Sequence, residues 1–256
     1  MTPTRFVVAT YNIWGVNRWP EREEALRGFL TDVRPDILAL QEFRPETRDV
    51  IDEELHDFER VDDPFEGWTR EGNIYWYKGL FEKVEHGAED IGILEPLRRL
   101  FWVRLRIVGT GRTIVVATAH YTWVGHKVER ETHVNPRVAQ AEKTIEALGR
   151  LVPPDEPLIF MGDLNESNNA IKKLREGGLT DCWRGRGTYP PPTHPAFPTA
   201  KGAPAVLDWQ LYRGPLRPMV CEVVDYAKGD LAPSDHKPVL VAYSLEPENA
   251  DQAQSD

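Results

Sequence analysis

The sequence has few cysteines and no long hydrophobic run. Only Cys182 and Cys221 occur among 256 residues. Two thiols so far apart make neither a disulfide framework nor a zinc-ligand spacing, which predicts free thiols in a reducing compartment. The start, MTPTRFVVATYN, lacks the apolar core of a secretory signal, and no segment reaches membrane-spanning length. We therefore expect a cytoplasmic protein with no membrane segment, although a chain trimmed of its signal would look the same.

Basic residues are also in the minority. The 31 lysines and arginines face 41 acidic residues, which gives a formal net charge of -10. Such a surface does not attract polyanions at long range, which argues against a tight non-specific DNA coat. A nucleic-acid enzyme remains compatible, because a bound divalent cation can reverse the field inside one cleft.

Two common catalytic devices are absent from the sequence. No glycine-rich phosphate loop follows an apolar run, which gives a nucleotide-binding Rossmann or P-loop fold little support. No serine or cysteine lies in a nucleophile elbow, so a covalent serine or cysteine hydrolase is not indicated. Any catalytic site must be built from other groups.

Apolar runs of strand length alternate with helical patterns, which predicts an α/β class. The predicted strands are Phe6–Tyr11, Asp36–Gln41, Asn73–Lys78, Phe101–Ile107, Thr113–His120, Leu158–Met161, Val206–Tyr212, Met219–Val224 and Pro238–Tyr243. One helix is predicted to begin at Pro20, and another at the capping pair Asn135-Pro136. Length alone permits two small domains, but no interdomain linker is present, so we expect a single domain over residues 1–245. The acidic tail, 246–256, is expected to be disordered.

Polar side chains stand at the ends of many of these strands. They are Asn12, Glu42, His120, Asp163, Asn165, Asp208, Asp235 and His236. Ligand sites of open α/β sheets collect at strand ends. Carboxylates and amides without cysteine or clustered histidine suit Mg²⁺ or Mn²⁺ better than zinc. A metal that polarises a phosphoryl oxygen, with a carboxylate that activates water, predicts phosphoester hydrolysis.

Each of these residues also has an ordinary structural interpretation. Asn12 alone could cap a turn, Glu42 could be a surface acid, and His120 could be a core histidine. Asp163 and Asn165 share one strand face if the extended chain continues, but they could instead form an Asx turn. Their joint order along the chain carries the functional interpretation.

That order resembles the endonuclease/exonuclease/phosphatase superfamily, the metal-dependent phosphoesterases related to deoxyribonuclease I and exonuclease III. The most specific elements are GDLN at 162–165 and SDHKP at 234–238. They are supported in the expected order by TYN at 10–12, QE at 41–42 and LDW at 207–209. The resemblance spans almost the whole chain. It implies a four-layer α/β sandwich, with two mixed β-sheets packed face to face and helices on the outer faces.

The resemblance also implies metal ligands. Glu42 would be the principal ligand of Mg²⁺ or Mn²⁺, with Asn12 beside it on the metal or the phosphate. Asp235 would reach the metal through water.

The same resemblance implies roles around the phosphorus atom. Asp163 would orient or deprotonate the attacking water, and Asn165 would stabilise the developing charge. Asp208 would hydrogen-bond His236 and keep it positively charged, which supplies the partner that a carboxylate inside an apolar run requires. His120 would contact the phosphate or assist the leaving group.

No branch of the superfamily is matched cleanly. The deoxyribonuclease I branch pairs its histidine with a glutamate in the strand corresponding to Asn73–Lys78, and that segment has none. Abasic-site endonucleases have tyrosine where His120 stands. Inositol polyphosphate 5-phosphatases have an aromatic-Arg pair where this chain has Glu166-Ser167. Neutral sphingomyelinases are usually secreted or membrane-attached.

We therefore expect a metal-dependent phosphodiesterase with nuclease-type activity. A phosphomonoesterase or a phospholipid phosphodiesterase on the same residues is the alternative, and a catalytically inactive binding module is a third. The expected partner is a phosphoester, with nucleic acid among the options. No protein partner is indicated, and we expect a monomer.

Two aromatic residues follow strand ends and are candidates for substrate contact. Trp14 and Trp123 are predicted to stack on bases or sugars, whereas Trp209, inside a strand, is predicted to pack beneath the site.

The segment from Cys182 to Leu207 carries no acidic residue, which is unusual in so acidic a chain. It contains Arg184 and Arg186, which we expect to bind a phosphate or base flanking the scissile bond. An ordinary proline-rich surface loop is an equally good interpretation, because Pro190–Pro198 is a proline cluster.

Overall fold

Twelve strands and seven helices lie in the part of the chain that the computed structural model describes, residues 3–247. The strands are β1 (Thr4–Asn12), β2 (Ile37–Gln41), β3 (Phe58–Arg60), β4 (Gly72–Tyr77), β5 (Phe81–Glu89), β6 (Leu100–Ile107), β7 (Thr113–His120), β8 (Leu158–Asp163), β9 (Thr180–Asp181), β10 (Asp208–Arg213), β11 (Leu216–Val223) and β12 (Val239–Leu245). The helices are α1 (Glu23–Asp32), α2 (Pro45–Glu54), α3 (Gly67–Arg70), α4 (Lys127–Thr132), α5 (Pro136–Leu151), α6 (Asn169–Glu176) and α7 (Cys182–Arg186).

The strands form two mixed sheets of six. One has the order β11-β12-β1-β2-β4-β3, and the other has the order β5-β6-β7-β8-β10-β9. Each sheet has one parallel pair near its centre, β1 with β2 and β7 with β8, and the other pairs are antiparallel. The parallel strands therefore finish side by side, so the residues at their carboxyl ends are neighbours.

The alternation of side chains along β1 divides the core into two parts. Phe6 and Val8 belong to the large cluster between the two sheets, whereas Ala9 and Tyr11 belong to a second cluster beneath α1 and α2. A strand buried on both faces needs apolar residues at odd and even positions, and this is why the run FVVATY shows no polar alternation.

Helices cover the outer face of each sheet. Leu26 and Phe29 of α1 pack on the first sheet. Ala141 and Leu148 of α5, with Ile171 of α6, join the core of the second sheet. The layers are helix, sheet, sheet and helix, which confirms the predicted four-layer sandwich.

The nine predicted strands are all present, with boundaries that differ by a few residues at most. The helix predicted from Pro20 begins at Glu23, because residues up to Arg22 form turns. The capping pair was correct, since the Asn135 side chain accepts a hydrogen bond from the backbone of Arg137 at 3.0 Å. The edge strand β5 was missed because its outer residues are mostly charged and exposed, so hydrogen bonding to β6, not an apolar pattern, defines it.

The described part of the predicted tail is short. Glu246 forms an ion pair with Arg217 at 3.2 Å, and residues 248–256 lie outside the described residues. None of the helices between residues 3 and 247 is long and apolar enough to cross a membrane.

Gly162 sets the closest approach between β7 and β8. Its φ is +144°, and a Cβ built there would lie 2.0 Å from the carbonyl oxygen of Ala119. No side chain fits that space, so the glycine before Asp163 is required by the pairing of the two central strands.

We predict that Gly162→Ala lowers the free energy of unfolding by about 3 kcal/mol, because the methyl group must push the two strands apart. Urea unfolding followed by circular dichroism measures this change. Gly149→Ala is the matched control, since Gly149 lies in α5 with no atom within 4 Å of its added Cβ. That variant should gain about 0.5 kcal/mol from helix propensity. Equal effects at the two glycines would contradict the interpretation.

Candidate active site

The strand ends that carry the predicted site residues meet at one edge of the sandwich. Asn12 ends β1 beside Gln41, the last residue of β2, and Glu42 follows directly. His120 ends β7 opposite Asp163, the last residue of β8. Asp163 also pairs with Asp208, the first residue of β10. Backbone pairing in the second sheet thus brings together His120, Asp163 and Asp208, which span 88 positions of the chain.

Asp163 lies at the centre of this cluster. Its Oδ2 accepts a hydrogen bond from Asn12 Nδ2 at 2.9 Å and lies 3.2 Å from His120 Nε2. The same oxygen is 3.7 Å from His236 Nε2. Asn12 Nδ2 also contacts Glu42 Oε1 at 3.1 Å, so one amide links two carboxylates from different sheets. The site therefore spans both halves of the sandwich.

Asp208 and His236 form a buried pair. His236 Nδ1 lies 2.8 Å from Asp208 Oδ2, and each side chain is less than a tenth exposed. This contact fixes the proton on Nδ1 and leaves Nε2 directed toward Asp163. Asp208 also gains the partner that its buried position requires.

The opposite charges of His236 and its carboxylate neighbours stabilise each other. Burial opposes a charge on His236, but the negative charges of Asp208 and Asp163 outweigh it and raise the pKa of His236 to about 10. Burial opposes ionisation of Asp163 as well, yet the neighbouring imidazoles of His120 and His236 hold its pKa well below the usual range. At neutral pH the site therefore presents an ionised Asp163 beside a protonated His236.

The strand alternation that predicted a shared face for Asp163 and Asn165 does not continue beyond β8. Asn165 has a φ of +46°, and its backbone N–H donates to Asp163 Oδ1 at 3.0 Å. This is the Asx-type turn that the sequence left open. The Asn165 amide still lies at the site, where it donates to the carbonyl of Tyr121 at 3.0 Å.

The oxygen atoms of this cluster are suitable ligands for a hard cation. Burial, with the negative charges of Glu42 and Asp163, raises the pKa of Asp235 to about 6. Within residues 3–247, Glu42 and Asp235 form no ion pair with lysine or arginine. Oxygen ligands with surplus negative charge are the environment that Mg²⁺ or Mn²⁺ prefers.

The ligand atoms that lie closest together include residues beyond the predicted metal set. Two groups have ligand atoms within 4.8 Å of one another, namely His194 with Asp235 and His236, and Asp163 with Asp208 and His236. Glu42 is joined to the second group through Asn12.

Arg22 is a residue of the site region that the sequence analysis missed. Its guanidinium is fully buried and donates to the backbone carbonyls of Asn17 at 2.7 Å, Gly15 at 3.1 Å and Pro233. It also lies 5.2 Å from the centre of the Trp14 ring. Arg22 thus ties the loop after Asn12 to the loop before His236. A buried arginine that binds only carbonyls leaves no signal in the sequence.

His194, in the proline-rich loop, was not predicted as a site residue, but the structure places it beside Asp235 and His236. Its ring centre lies 5.0 Å from that of His236. Burial and the positive charge of His236 lower its pKa. The contact depends on how the loop returns to the sheet, so spacing along the chain could not predict it.

The tryptophans behave differently from one another. Trp123 is 47% exposed and free to meet a ligand, whereas Trp14 is half-buried beneath the Arg22 contact. Trp209 is 3% exposed, and its Nε1 donates to the carbonyl of Glu166 at 2.9 Å, as expected for a residue packed under the site.

Arg184 and Arg186 are not brought to the cluster. They lie on α7, where the neighbouring Gly185 packs against Tyr212. Tyr212 stands toward the opposite end of β10 from Asp208. The helix precedes the proline-rich loop and packs on the far part of this strand, so their contact with a group flanking the scissile bond stays a prediction.

Comparison with known proteins supports these observations. The model of the Endonuclease/Exonuclease/phosphatase family matches residues 9–236. No curated protein matches the sequence.

Several solved structures share the fold at low sequence identity. An endonuclease/exonuclease/phosphatase family protein from Bacteroides thetaiotaomicron is 19% identical with a TM-score of 0.80, covering 96% of this chain and 100% of its own. A D. rerio TDP2 complexed with single strand DNA product is 16% identical with a TM-score of 0.77, and the match covers 94% and 99%. A mannosyl-6-phosphatase from B. thetaiotaomicron is 18% identical with a TM-score of 0.78, and the match covers 93% and 99%.

We predict that Arg22→Met lowers the free energy of unfolding by about 3 kcal/mol, because several buried carbonyls lose their donor. Urea unfolding measures the change. Arg18→Met is the matched control, since Arg18 is 43% exposed and pairs with Glu21 on the surface. The control should shift by less than about 0.5 kcal/mol. A small effect at Arg22 would show that the two loops hold their positions without it.

A second prediction concerns pH. The folded-state pKa of His236, about 10, lies above its unfolded value of about 6.5. The stability that it contributes is therefore fully present below about pH 6.5 and is lost as the pH rises through about 10. In EDTA, the difference in unfolding free energy between wild type and His236→Gln should narrow across that range. A difference independent of pH would contradict the buried charge pair.

Proposed function

The chain belongs to the endonuclease/exonuclease/phosphatase family, whose members are hydrolases of phosphoester bonds, and from this premise we propose that it is a divalent-metal-dependent phosphodiesterase with nuclease-type activity. The observation that carries the proposal is the environment of one oxygen, Asp163 Oδ2. It lies within 3.7 Å of nitrogen atoms of Asn12, His120 and His236. Phosphoester hydrolysis needs such an acceptor for water beside donors for the phosphoryl oxygens.

In this proposal the Asp163 carboxylate binds the attacking water. Its lowered pKa keeps it ionised and makes it a weak base, so it mainly orients the water by accepting its hydrogen bond. A proton moves to the carboxylate only as the new bond to phosphorus forms.

Two histidines supply positive charge and hydrogen bonds. His236 is held protonated by Asp208 and directs Nε2–H toward a phosphoryl oxygen near Asp163. His120 Nδ1 is a buried nitrogen with no hydrogen-bond partner among the described residues, while its Nε2 faces Asp163. His120 is therefore the candidate for contact with the phosphate or the leaving group, and the Asn165 amide is the candidate for charge on the phosphorane.

Glu42, Asp235 and Asn12 would hold the cation. Bound Mg²⁺ or Mn²⁺ would polarise a phosphoryl oxygen and neutralise the charge of the phosphate. The surplus of buried carboxylate charge at Asp235 supports this assignment.

Two observations bear on the substrate. Similarity to the D. rerio TDP2 structure with single strand DNA product, and the exposed Trp123 ring three residues after His120, favour a nucleic-acid phosphodiester. Similarity to the mannosyl-6-phosphatase favours a second candidate, a phosphomonoesterase acting with the same residues.

A panel of phosphoesters tests the proposal. With Mg²⁺ or Mn²⁺, the protein should hydrolyse bis(p-nitrophenyl) phosphate and single-stranded DNA faster than p-nitrophenyl phosphate, and EDTA should abolish the activity. Asp163→Asn should lower kcat by about a thousandfold or more, because the amide cannot receive the proton. Circular dichroism and urea unfolding establish that the variant is folded.

Asp155→Asn is the matched control, since Asp155 is exposed in the loop before β8. It should retain full activity. Near-normal turnover by a folded Asp163→Asn protein would rule out the mechanism, and preference for the monoester would favour the second candidate. Absence of both metal binding and turnover would favour an inactive binding module.

A further inference from the structure

A pocket of about 290 Å³ adjoins the catalytic cluster on the side of His236. Its walls include four prolines of the loop between α7 and β10, together with Phe197 and Val223. His194 lines it as well, and the ion pair of Lys237 and Asp225 lies at its border. Nothing in the proposed catalytic chemistry uses this pocket.

His194 is the wall that the pocket shares with the catalytic cluster. The same ring lines the pocket and lies 5.0 Å from the ring of His236. A group that contacts His194 in the pocket is therefore separated from a phosphate at His236 by about the width of one side chain. A substituent of that phosphate can reach the pocket without a long linker.

The wall is fixed to the backbone that carries the catalytic residues. The N–H of Lys237 donates to the Thr193 carbonyl at 2.7 Å, and the N–H of Ala196 donates to the Asp235 carbonyl at 2.6 Å. The Thr193 hydroxyl accepts from the backbone N–H of Asp208 at 3.1 Å. The pocket is thus preformed at a set distance from the phosphate site.

The chemistry of the walls selects a flat apolar group. Proline rings and the half-exposed Phe197 ring offer surfaces on which an aromatic ring stacks. Lys237 is bound to Asp225 at 2.6 Å, so the lysine of this pocket is already neutralised and does not favour a second phosphate. A volume near the lower limit of small-molecule sites suits one ring system.

The position of the pocket also indicates which ester group enters it. In an in-line displacement, the leaving group departs opposite the attacking water. His236 Nε2 lies only 3.7 Å from Asp163 Oδ2, the oxygen assigned to that water. The retained ester group is equatorial, together with the phosphoryl oxygens, one of which is assigned to His236. A pocket beyond His236 and His194 therefore lies beside an equatorial position, away from the axis of attack and departure, and it would hold the group that remains on the phosphate.

We propose that this pocket binds an aromatic ring of the ester group that the phosphate retains, either a nucleobase or a simple aryl group. The inference rests on the proposed phosphodiesterase function and names the substrate class that the site prefers. It makes Phe197 and Val223 specificity residues, which touch the substrate but not the reacting atoms.

Two diesters with the same leaving group test the proposal. Bis(p-nitrophenyl) phosphate retains an aryl group and methyl p-nitrophenyl phosphate retains a methyl group, while both release p-nitrophenolate. Phe197→Ala should raise KM for the bis-aryl ester by about tenfold and leave both constants of the methyl ester unchanged. Val223→Phe, which narrows the pocket, should have the same selective effect. Tyr189→Ala is the matched control, because Tyr189 is 94% exposed in the same loop and does not line the pocket.

A third ester identifies the source of the ring. The p-nitrophenyl ester of thymidine 5′-phosphate retains a nucleoside with the same leaving group. A larger Phe197→Ala effect on this ester than on the bis-aryl ester identifies a nucleobase, and the reverse identifies a plain aryl group. Equal effects of Phe197→Ala on all three esters, or none, overturn the proposal.

The failure of this inference is distinct from the failure of the proposed function. Turnover of the methyl ester reports the catalytic machinery alone. If wild type hydrolyses no ester, the function falls, and calorimetric binding of phenyl phosphate against methyl phosphate then tests the pocket directly. Tighter binding of phenyl phosphate that Phe197→Ala abolishes supports the pocket, and equal binding of the two ligands overturns it.

Discussion

Surplus negative charge, gathered where two sheets meet, is the constraint on which the rest of the site depends. Asp163 and Asp208 are almost fully buried, and Asp235 and Glu42 lie beside them. Buried carboxylates are costly unless each has a partner. Protonated His236 neutralises part of this negative charge through its contact with Asp208, and a divalent cation is suited to neutralise the rest. The same electrostatics that would weaken an ordinary core would suit this one to the divalent cation and the phosphoester of the proposed function.

The sandwich meets this constraint by backbone pairing. Strand β1 ends at Asn12 and its parallel neighbour β2 ends at Gln41, directly before Glu42, while the parallel pair β7 and β8 ends at His120 and Asp163. Each side chain is held by a strand that is buried on both faces, so little conformational freedom remains to be lost on binding. Arg22 completes the arrangement by donating to carbonyls of the turns after β1 and to that of Pro233, which ties together the loops beside the candidate metal ligands Asn12 and Asp235.

The sequence predicted those parts of the fold and the site that a local pattern of residues defines, without contacts between distant segments. Central strands were visible because continuous apolar runs are the signature of burial on both faces, and their polar ends marked the cluster. The edge strands β3 and β5 and the two-residue β9 were not predicted, because pairing with neighbouring strands, and not an apolar pattern, defines them. His194 and Arg22 were missed for a related reason, since their roles come from loops that return across the fold. For Arg184 and Arg186, local charge alone suggested a contact with substrate, and because α7 packs against the part of β10 farther from Asp208, that contact stays a prediction.

Hydrogen bonds join the proline-rich loop to Lys237, Asp235 and Asp208. They couple substrate selectivity to the rate of turnover, two properties that are separate in many enzymes. Loops around an active site are usually exchangeable, and selectivity evolves by replacing them. Here the proline-rich loop is hydrogen-bonded to Lys237, Asp235 and Asp208, so a transplanted loop of another shape would also displace the neighbouring imidazole of His236. A change of selectivity would then also change the rate of turnover. Laboratory evolution of activity toward new substrates should therefore proceed by substituting single side chains on the existing loop.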